Sequence, residues 1–310
     1  MSPSHPAARP VETSVDSHGV RIAVREHSPA APDRPTVVLV HGYPDRQQMW
    51  DLVVEHLPPD RFHVVTYDVR GAGASDAPDE LREYVTDRLV DDLAAVIDAV
   101  EPEGRTGPAV HLVGHDWGSV QLWDAVGVAD EHPGLRGRIA SFTSISGPSL
   151  AHVSWLAHHP DGRRLRLLRQ GAHSWYISFF RLPVLPELVW RTLHPVLGRS
   201  IAAREGLGRG HWDDGLGDDA VNGLRLYRAN VGTGLHRHID EWRTDVPVQV
   251  VRPTRDAFLT DLFLDDLDKI ATDVRVVEMD AGHWVARTRP DEIAALITEH
   301  VDRTSRVTDA

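Results

Sequence analysis

The chain has 310 residues, of which 41% are hydrophobic and 25% are charged, a balance typical of an ordinary globular protein. Its formal net charge of −13, with no basic stripe, argues against nucleic acid as a partner. The absence of cysteine excludes disulfides and thiol catalysis. Because neither a signal peptide nor an apolar run of membrane-spanning length is found, we expect a cytoplasmic protein, monomeric or homodimeric, with no membrane partner.

Taken in chain order, the predicted elements start with a hairpin whose strands lie around Thr13–Val15 and Val20–Val24. Short continuous apolar runs follow, of the kind found in strands buried on both faces. They lie at Thr36–Val40, Phe62–Tyr67, Ala109–Val113, Ile139–Ile145, Val248–Val251 and Val274–Val277. Helical patterns separate them at Gln47–Leu57, at Val85–Val100, after Trp117 and after Pro290. This alternation predicts an α/β fold, a doubly wound and mostly parallel sheet with helices on both faces.

The alternation is interrupted between about Pro148 and Asp240. That stretch is rich in Trp, Leu, Arg, Pro and Gly, and it contains helical fragments without a clear buried strand. We therefore expect a core formed by residues 1–147 and 241–310, and a helical insertion, or cap, over the sheet at residues 148–240.

The strongest chemical signal is Gly114-His115-Asp116-Trp117-Gly118, which follows a predicted strand and precedes a predicted helix. This is the form of a nucleophile elbow, in which small flanking residues permit a sharp turn that exposes the central side chain. The alternative is an aspartate that only caps the next helix, but a cap does not need glycine on both sides. A carboxylate that attacks an sp3 carbon forms an ester, which water can cleave, whereas a serine would form a stable ether. Asp116 therefore predicts substitution at an epoxide or alkyl halide carbon, not peptidase or esterase chemistry.

Two further side chains complete a predicted triad in the order expected after such an elbow. Asp256 follows the strand Val248–Val251, and His283 follows the next strand, at the sheet edge where such folds place their sites. The backbone amides of Tyr43 and Trp117 are the predicted oxyanion-hole donors. The glycine-rich segment Asp68–Asp76 lacks the spacing of a phosphate-binding loop, so we predict a structural role for it. We expect neither a metal nor an organic cofactor.

The motifs HGYP, DVRGAGASD, GHDWGS and GHW, with Asp256 between the last two, together resemble the α/β-hydrolase-fold epoxide hydrolases. The sequence also resembles the hydrolase half of actinobacterial proteins that carry a short-chain dehydrogenase domain behind it, for which the 310 residues leave no room. The resemblance implies two cap tyrosines that hold and protonate the epoxide oxygen, and these match Tyr176 in SWYISFF and Tyr227 in LYRAN. The acid loop RPTRD departs from relatives that have a glycine-containing turn there.

The expected activity is therefore hydrolysis of a small-molecule epoxide to a vicinal diol through an ester on Asp116. A bulky hydrophobic or aromatic epoxide is the expected substrate, with Trp175, Phe179 and Phe180 as expected contacts. One alternative is a haloalkane dehalogenase, which would share the triad but has no use for paired tyrosines. Another is an inactive ligand-binding scaffold, which the complete triad disfavours.

Overall fold

The computed structural model describes residues 9–101, 109–208, 210–232 and 242–308. Eight strands form one sheet in the order β1-β2-β4-β3-β5-β6-β7-β8. Their bounds are Val11–Ser17 for β1, Val20–Glu26 for β2, Thr36–Val40 for β3, His63–Tyr67 for β4, Val110–His115 for β5, Ile139–Ile145 for β6, Val248–Pro253 for β7 and Val274–Met279 for β8. Strands β1 and β2 form the predicted antiparallel hairpin, and β2 is antiparallel to β4. The other five pairings are parallel, which confirms the predicted sheet.

The central strands are buried because each has a neighbour on both sides and helices on both faces. Every residue of β3, β4 and β5 is buried, as the continuous apolar runs predicted. The same prediction is wrong for β8, in which Val276 is 41% exposed. The reason is position: β8 pairs only with β7 and lies at the edge of the sheet.

Two apolar layers cover the sheet. On one face α2 (Thr86–Val100) packs against α3 (Trp117–Gly127), and on the other α1 (Asp51–His56) packs against α10 (Pro290–Thr308). The predicted helix at Gln47–Leu57 is a 3₁₀ turn, Gln47–Trp50, followed by α1. The one-turn helix α9 (Val285–Thr288) was not predicted.

Between β6 and β7 the described residues form five α-helices, which we call the helical insertion. They are α4 (Leu150–His158), α5 (Arg164–His173), α6 (Trp175–Phe180), α7 (Leu185–Glu205) and α8 (Leu216–Asn230). Helix α7 packs along α8. The boundary expected at 240/241 lies outside the described residues. Among the helices that are described, none has the length and apolarity needed to cross a membrane.

A buried carboxylate joins the helical insertion to the core. Asp45, in the loop after β3, accepts hydrogen bonds from His211 Nε2 (2.9 Å) and Trp212 Nε1 (2.8 Å) on one oxygen. Its other oxygen accepts one from Trp284 Nε1 (2.6 Å), next to the predicted catalytic histidine. Burial alone would raise the pKa of Asp45, but the hydrogen bonds from His211 and Trp284 and the nearby histidines outweigh it and lower the pKa to about 2.

We predict that Asp45→Asn lowers the free energy of unfolding by about 2–4 kcal/mol near neutral pH, because an amide cannot accept from all three buried donors. Asp45 has a lower pKa folded than the ~3.9 of an unfolded aspartate, so its contribution is fully present above about pH 4. The stability gap between wild type and variant should therefore narrow as the pH falls from about 4 towards 2. Urea unfolding followed by circular dichroism at several pH values measures this gap.

Asp98→Asn is the matched control, since the Asp98 side chain is 84% exposed. It should change stability by no more than about 0.5 kcal/mol. An Asp45→Asn protein as stable as this control, or a gap that widens in acid, would contradict the role assigned to Asp45.

Candidate active site

Asp116 lies in the sharp turn between β5 and α3, with a left-handed backbone at φ 53° and ψ −121°. The turn requires glycine on both sides. A Cβ on Gly114 would lie 2.6 Å from the carbonyl oxygen of Gly118, and a Cβ on Gly118 would lie 2.1 Å from the carbonyl oxygen of Val40. The turn projects the Asp116 carboxylate, with 17% of its side chain exposed, at the carboxyl ends of the parallel strands.

The two backbone amides predicted as oxyanion donors flank this carboxylate. The Tyr43 N–H donates to Asp116 Oδ1 at 2.7 Å. Trp117 is the first residue of α3, so its N–H has no carbonyl partner within that helix. The positive end of the α3 dipole also favours negative charge at this position.

The three members of the predicted triad lie together. His283 Nε2 is 3.6 Å from Asp116 Oδ2, and His283 Nδ1 is 2.8 Å from Asp256 Oδ2. The other oxygen of Asp256 accepts from the backbone N–H groups of Phe258 (2.8 Å) and Leu259 (3.1 Å). Asp256 is thus fixed by backbone donors that follow it in the chain, and its loop reaches His283 without the glycine-containing turn found in relatives.

The charges of this group decide which protons are held. Burial alone would lower the pKa of His283, but the charge of Asp256 and the hydrogen bond and charge of Asp116 outweigh it and raise the pKa to about 10. Burial would raise the pKa of Asp256, yet the positive charge and hydrogen bond of His283 and two backbone donors keep it below its usual range. The resting group is therefore an imidazolium between two carboxylates.

Two tyrosine rings of the helical insertion face this group. Tyr176 on α6 and Tyr227 on α8 have ring centroids 6.1 Å apart, and Tyr227 also lies 5.0 Å from the ring of Trp117. Burial, followed by the negative charges of Asp116 and Asp256, raises the pKa of Tyr176. Burial, followed by Tyr176 and Asp116, raises the pKa of Tyr227. Both hydroxyls are therefore protonated and able to donate to a neighbouring oxygen.

The expected aromatic contacts divide into two groups. The ring of Phe180 lies 5.4 Å from Tyr176 and 5.1 Å from Tyr227, and Phe179 adjoins Phe180 at 6.0 Å. Trp175 does not join them: it is 67% exposed, and no ring contact within the described residues connects it to this cluster. Adjacent helical side chains point about 100° apart, so turning Tyr176 inward turns Trp175 outward, which corrects the sequence expectation.

Other residues at the site were not found from the sequence. Glu205, the last residue of α7, accepts the backbone N–H of His283 at 2.9 Å. The ring of Phe258 lies 4.8 Å from His283 and 5.3 Å from Tyr176. Because Phe258 is two residues after Asp256, its nearness in sequence could have indicated a place at the site. No sequence motif around Glu205 indicates its contact with His283. The described residues contain no group of three or more His, Asp or Glu side chains that could hold a metal ion.

The chain is similar to several known proteins. Residues 35–185 match the family described as alpha/beta hydrolase fold. The probable oxidoreductase EphD of Mycobacterium tuberculosis is 33% identical over 96% of this chain, which spans only 50% of that protein's length. Epoxide hydrolase A of the same organism is 29% identical over 94% of this chain and 97% of its own length. The chain thus spans about half the length of the first curated relative and nearly all of the second.

A solved structure of an epoxide hydrolase from Bacillus megaterium, in complex with an inhibitor, superimposes with a TM-score of 0.74. It is 21% identical and covers 94% of this chain and 100% of its own. At that identity the likeness concerns the fold alone. The sheet order, the turn at Asp116 and these matches together show that the chain has the α/β-hydrolase fold.

Proposed function

We propose that this chain is an epoxide hydrolase that converts an epoxide to a vicinal diol through a covalent ester on Asp116. One observation carries the proposal: a carboxylate occupies the elbow, and two protonated tyrosines face it across the site. A carboxylate nucleophile suits attack at an sp3 carbon, and a neutral phenol suits protonation of the alkoxide that leaves. The epoxide hydrolase among the curated relatives supports the same activity.

In the first step, Asp116 attacks one carbon of the epoxide ring. Its Oδ1 is held by the Tyr43 amide, so Oδ2, which lies 3.6 Å from His283 Nε2, is the oxygen that forms the new bond. The ring carbon–oxygen bond breaks as the ester bond forms, and the ring oxygen takes a proton from Tyr176 or Tyr227. The second tyrosine hydrogen-bonds the same oxygen. No base is needed, which fits an imidazolium at His283 in the resting enzyme.

In the second step, a water molecule attacks the ester carbonyl carbon while His283 takes its proton. Esterification removes the negative charge of Asp116, one of the causes that raise the pKa of His283, so the imidazolium gives up its proton, which restores the tyrosinate left by the first step, and the neutral imidazole acts as the base. Asp256 orients the ring and stabilises the imidazolium that forms. The oxyanion develops on Oδ1, where the Tyr43 and Trp117 amides can hold it. As this intermediate collapses, the bond between the Asp116 carbonyl carbon and the substrate oxygen breaks, the remaining proton of the attacking water passes to that oxygen, and the diol leaves with Asp116 regenerated as a carboxylate.

The substrate class follows from the side chains around the tyrosines. Phe179, Phe180 and Phe258 offer apolar faces and no charge, which favours a hydrophobic epoxide with a bulky or aromatic substituent. We propose that residues 148–240 form the cap of the site and that residues 1–147 and 241–310 form the core. The epoxide and water are the only reactants in this scheme.

The first prediction concerns the base. His283→Gln should form the ester at Asp116 but fail to hydrolyse it, because only the second step needs proton removal. Intact-protein mass spectrometry after mixing with an epoxide should show an adduct of the substrate's mass, and peptide mapping should place it on Asp116. His300→Gln is the control, since His300 is buried beneath β6 and β7 away from the site and should turn over normally. An adduct mapped to another residue would contradict the elbow assignment.

The second prediction concerns the proton donors. Tyr176→Phe and Tyr227→Phe should each slow epoxide opening, and the double variant should lose about a hundredfold or more, since one positioned donor is worth roughly 10²–10⁴. Pre-steady-state alkylation of Asp116 measures this step. Tyr67→Phe is the matched control, because Tyr67 is buried in the core and its hydroxyl has no hydrogen-bond partner within the described residues.

A folded double variant that opens epoxides at the wild-type rate would contradict the role of the tyrosines. A wild type that releases halide from haloalkanes faster than diol from epoxides would favour the dehalogenase, because a halide leaves as a weakly basic anion and needs no proton donor.

The third prediction is a pH dependence that differs between the two steps. Alkylation needs no base, so its rate should stay constant between roughly pH 6 and 9. This range lies below the resting pKa of His283, which is about 10. Ester hydrolysis needs neutral His283 and should rise with pH, with an apparent pKa below 10 because the Asp116 charge is gone. Single-turnover fluorescence separates the two rates. Asp256→Asn should move the apparent pKa of hydrolysis lower still, and an unchanged value would mean that another carboxylate partners His283.

A further inference from the structure

The exposed apolar side chains of this protein are concentrated in one segment. Within the described residues, nine of the twelve large hydrophobic side chains that are exposed fall between positions 165 and 196 of the helical insertion. They are Leu165, Leu168, Trp175, Leu182, Val184, Leu185, Leu188, Leu193 and Val196. Single exposed apolar side chains are ordinary, but a concentration of this kind marks an interaction surface.

Helix α7 organises the largest part of this surface, which we call the outer face. The helix turns Pro186, Trp190 and Gly198 inward, and Gly198 packs against Leu216 of α8. The opposite side carries Leu185, Leu188 and Val196, which are 47%, 56% and 57% exposed. These positions, spaced by three and eight residues, lie along one stripe of a helix. The outer face is therefore an amphipathic helix surface whose apolar stripe has no partner within the described residues.

The turn before α7 extends the outer face with a strained residue. Val184 has a φ of 66°, in the left-handed region that a β-branched residue rarely adopts, and its side chain is 73% exposed. Leu182 precedes it and is 45% exposed. The strained backbone directs an apolar side chain outward, and no burial within the described residues offsets the cost of that strain. Strained residues of this kind are found at binding surfaces.

The charge of the segment is opposite to that of the rest of the protein. Residues 163–204 contain eight arginines and one acidic residue, Glu187, which gives +7 in a chain of net charge −13 and leaves −20 on the remainder. Glu187 is paired with Arg228 and does not neutralise the segment. Five of the arginines are exposed and form no salt bridge within the described residues: Arg164, Arg169, Arg181, Arg199 and Arg204. Arg191 is also exposed, and its charge acts on Glu187.

The combination of exposed apolar side chains and arginines indicates which kind of partner binds the outer face. A second copy of the chain, paired through the same face about a two-fold axis, would bring arginines against arginines. A neutral apolar partner would leave the arginines without counter-charges. A lipid surface with anionic headgroups satisfies both features, because arginines meet the headgroups while Leu, Val and Trp side chains enter the acyl boundary. An exposed tryptophan such as Trp175 is also typical of that boundary.

We propose that the protein docks on anionic membrane surfaces through the outer face of α7 and the flanking arginines, lying on the bilayer without spanning it. Arg163 and Arg166 are paired with aspartates outside the segment, but the other arginines are available to face the membrane, so the charge asymmetry also orients the protein. This proposal departs from the sequence expectation of no membrane partner. If the proposed function holds, docking would place the site where apolar epoxides concentrate.

The test is co-sedimentation of the full chain with vesicles of phosphatidylcholine, with or without phosphatidylglycerol. Wild type should bind the vesicles that contain phosphatidylglycerol, and high salt should weaken the binding. Leu188→Ser with Val196→Ser should lower the partition coefficient by about tenfold. Arg191→Gln with Arg199→Gln should lower it by about tenfold as well. Circular dichroism of each variant establishes that it is folded.

Matched double variants carry the same chemical changes elsewhere. Leu81→Ser with Val276→Ser alters exposed apolar side chains outside the helical insertion. Arg61→Gln with Arg275→Gln removes two surface arginines outside the helical insertion. Both controls should bind within about twofold of wild type, as expected of surface changes off the docking face. Absence of binding, equal loss in test and control variants, or binding that ignores lipid charge would overturn the inference.

Sedimentation of the protein alone tests the rival occupant. A wild-type dimer that Leu188→Ser with Val196→Ser converts to a monomer would assign the outer face to a second copy and overturn the membrane inference. Hydrolysis of a water-dissolved epoxide, measured without vesicles, keeps the two ideas apart. If the protein binds vesicles but hydrolyses no epoxide, the docking surface is supported and the proposed epoxide hydrolase function is contradicted.

Discussion

The backbone of Asp116 is the constraint on which the rest of the site depends. A left-handed conformation in a non-glycine residue costs on the order of 1–2 kcal/mol, and here packing around the elbow maintains it. Gly118 lies against the carbonyl of Val40, so β3, β5 and the start of α3 can approach this closely only if no side chain intervenes. That close approach also places the Tyr43 amide, which follows β3, within 2.7 Å of the Asp116 carboxylate. The strain is thus tied to the contact that prepares one carboxylate oxygen to carry negative charge.

The core and the helical insertion contribute different kinds of group. The core supplies the ionised members, two carboxylates and an imidazolium, and they hold one another because each buried charge has an opposite partner. The helical insertion supplies neutral hydroxyls on Tyr176 and Tyr227, whose pKa values rise because burial, and then the nearby negative charges, disfavour ionisation. The carboxylates that hold a proton on His283 therefore also favour the protonated form of both tyrosines. Glu205 and Asp45 join the two parts near His283, so the position of the insertion and that of the histidine are linked through hydrogen bonds.

Sequence reasoning was effective where function depends on local chain order. The bounds of β3 and β6 coincide with the predicted runs, and Asp116, Asp256 and His283 meet because parallel strands bring their carboxyl ends to one edge. It failed where contacts join segments distant in the chain. Nothing near Glu205 announces that it will reach His283, and the bonds from His211 and Trp212 to Asp45 cross more than 160 residues. Trp175 and Val276 were misplaced because an apolar residue type does not reveal which side of an element the tertiary fold covers.

Helix α7 shows how one element can serve two environments. Trp190 lies 6.2 Å from the ring of Tyr43 and 6.5 Å from Phe180, so the inner side of the helix belongs to the aromatic wall of the site. Leu188 and Val196 lie on the opposite side, and Glu205 at the end of the same helix touches the backbone of His283. A rigid helix couples its two sides, because a contact that fixes the outer stripe also restricts the inner one. A partner bound to the outer face would therefore contact a helix that also carries part of the aromatic wall and the Glu205 contact with His283.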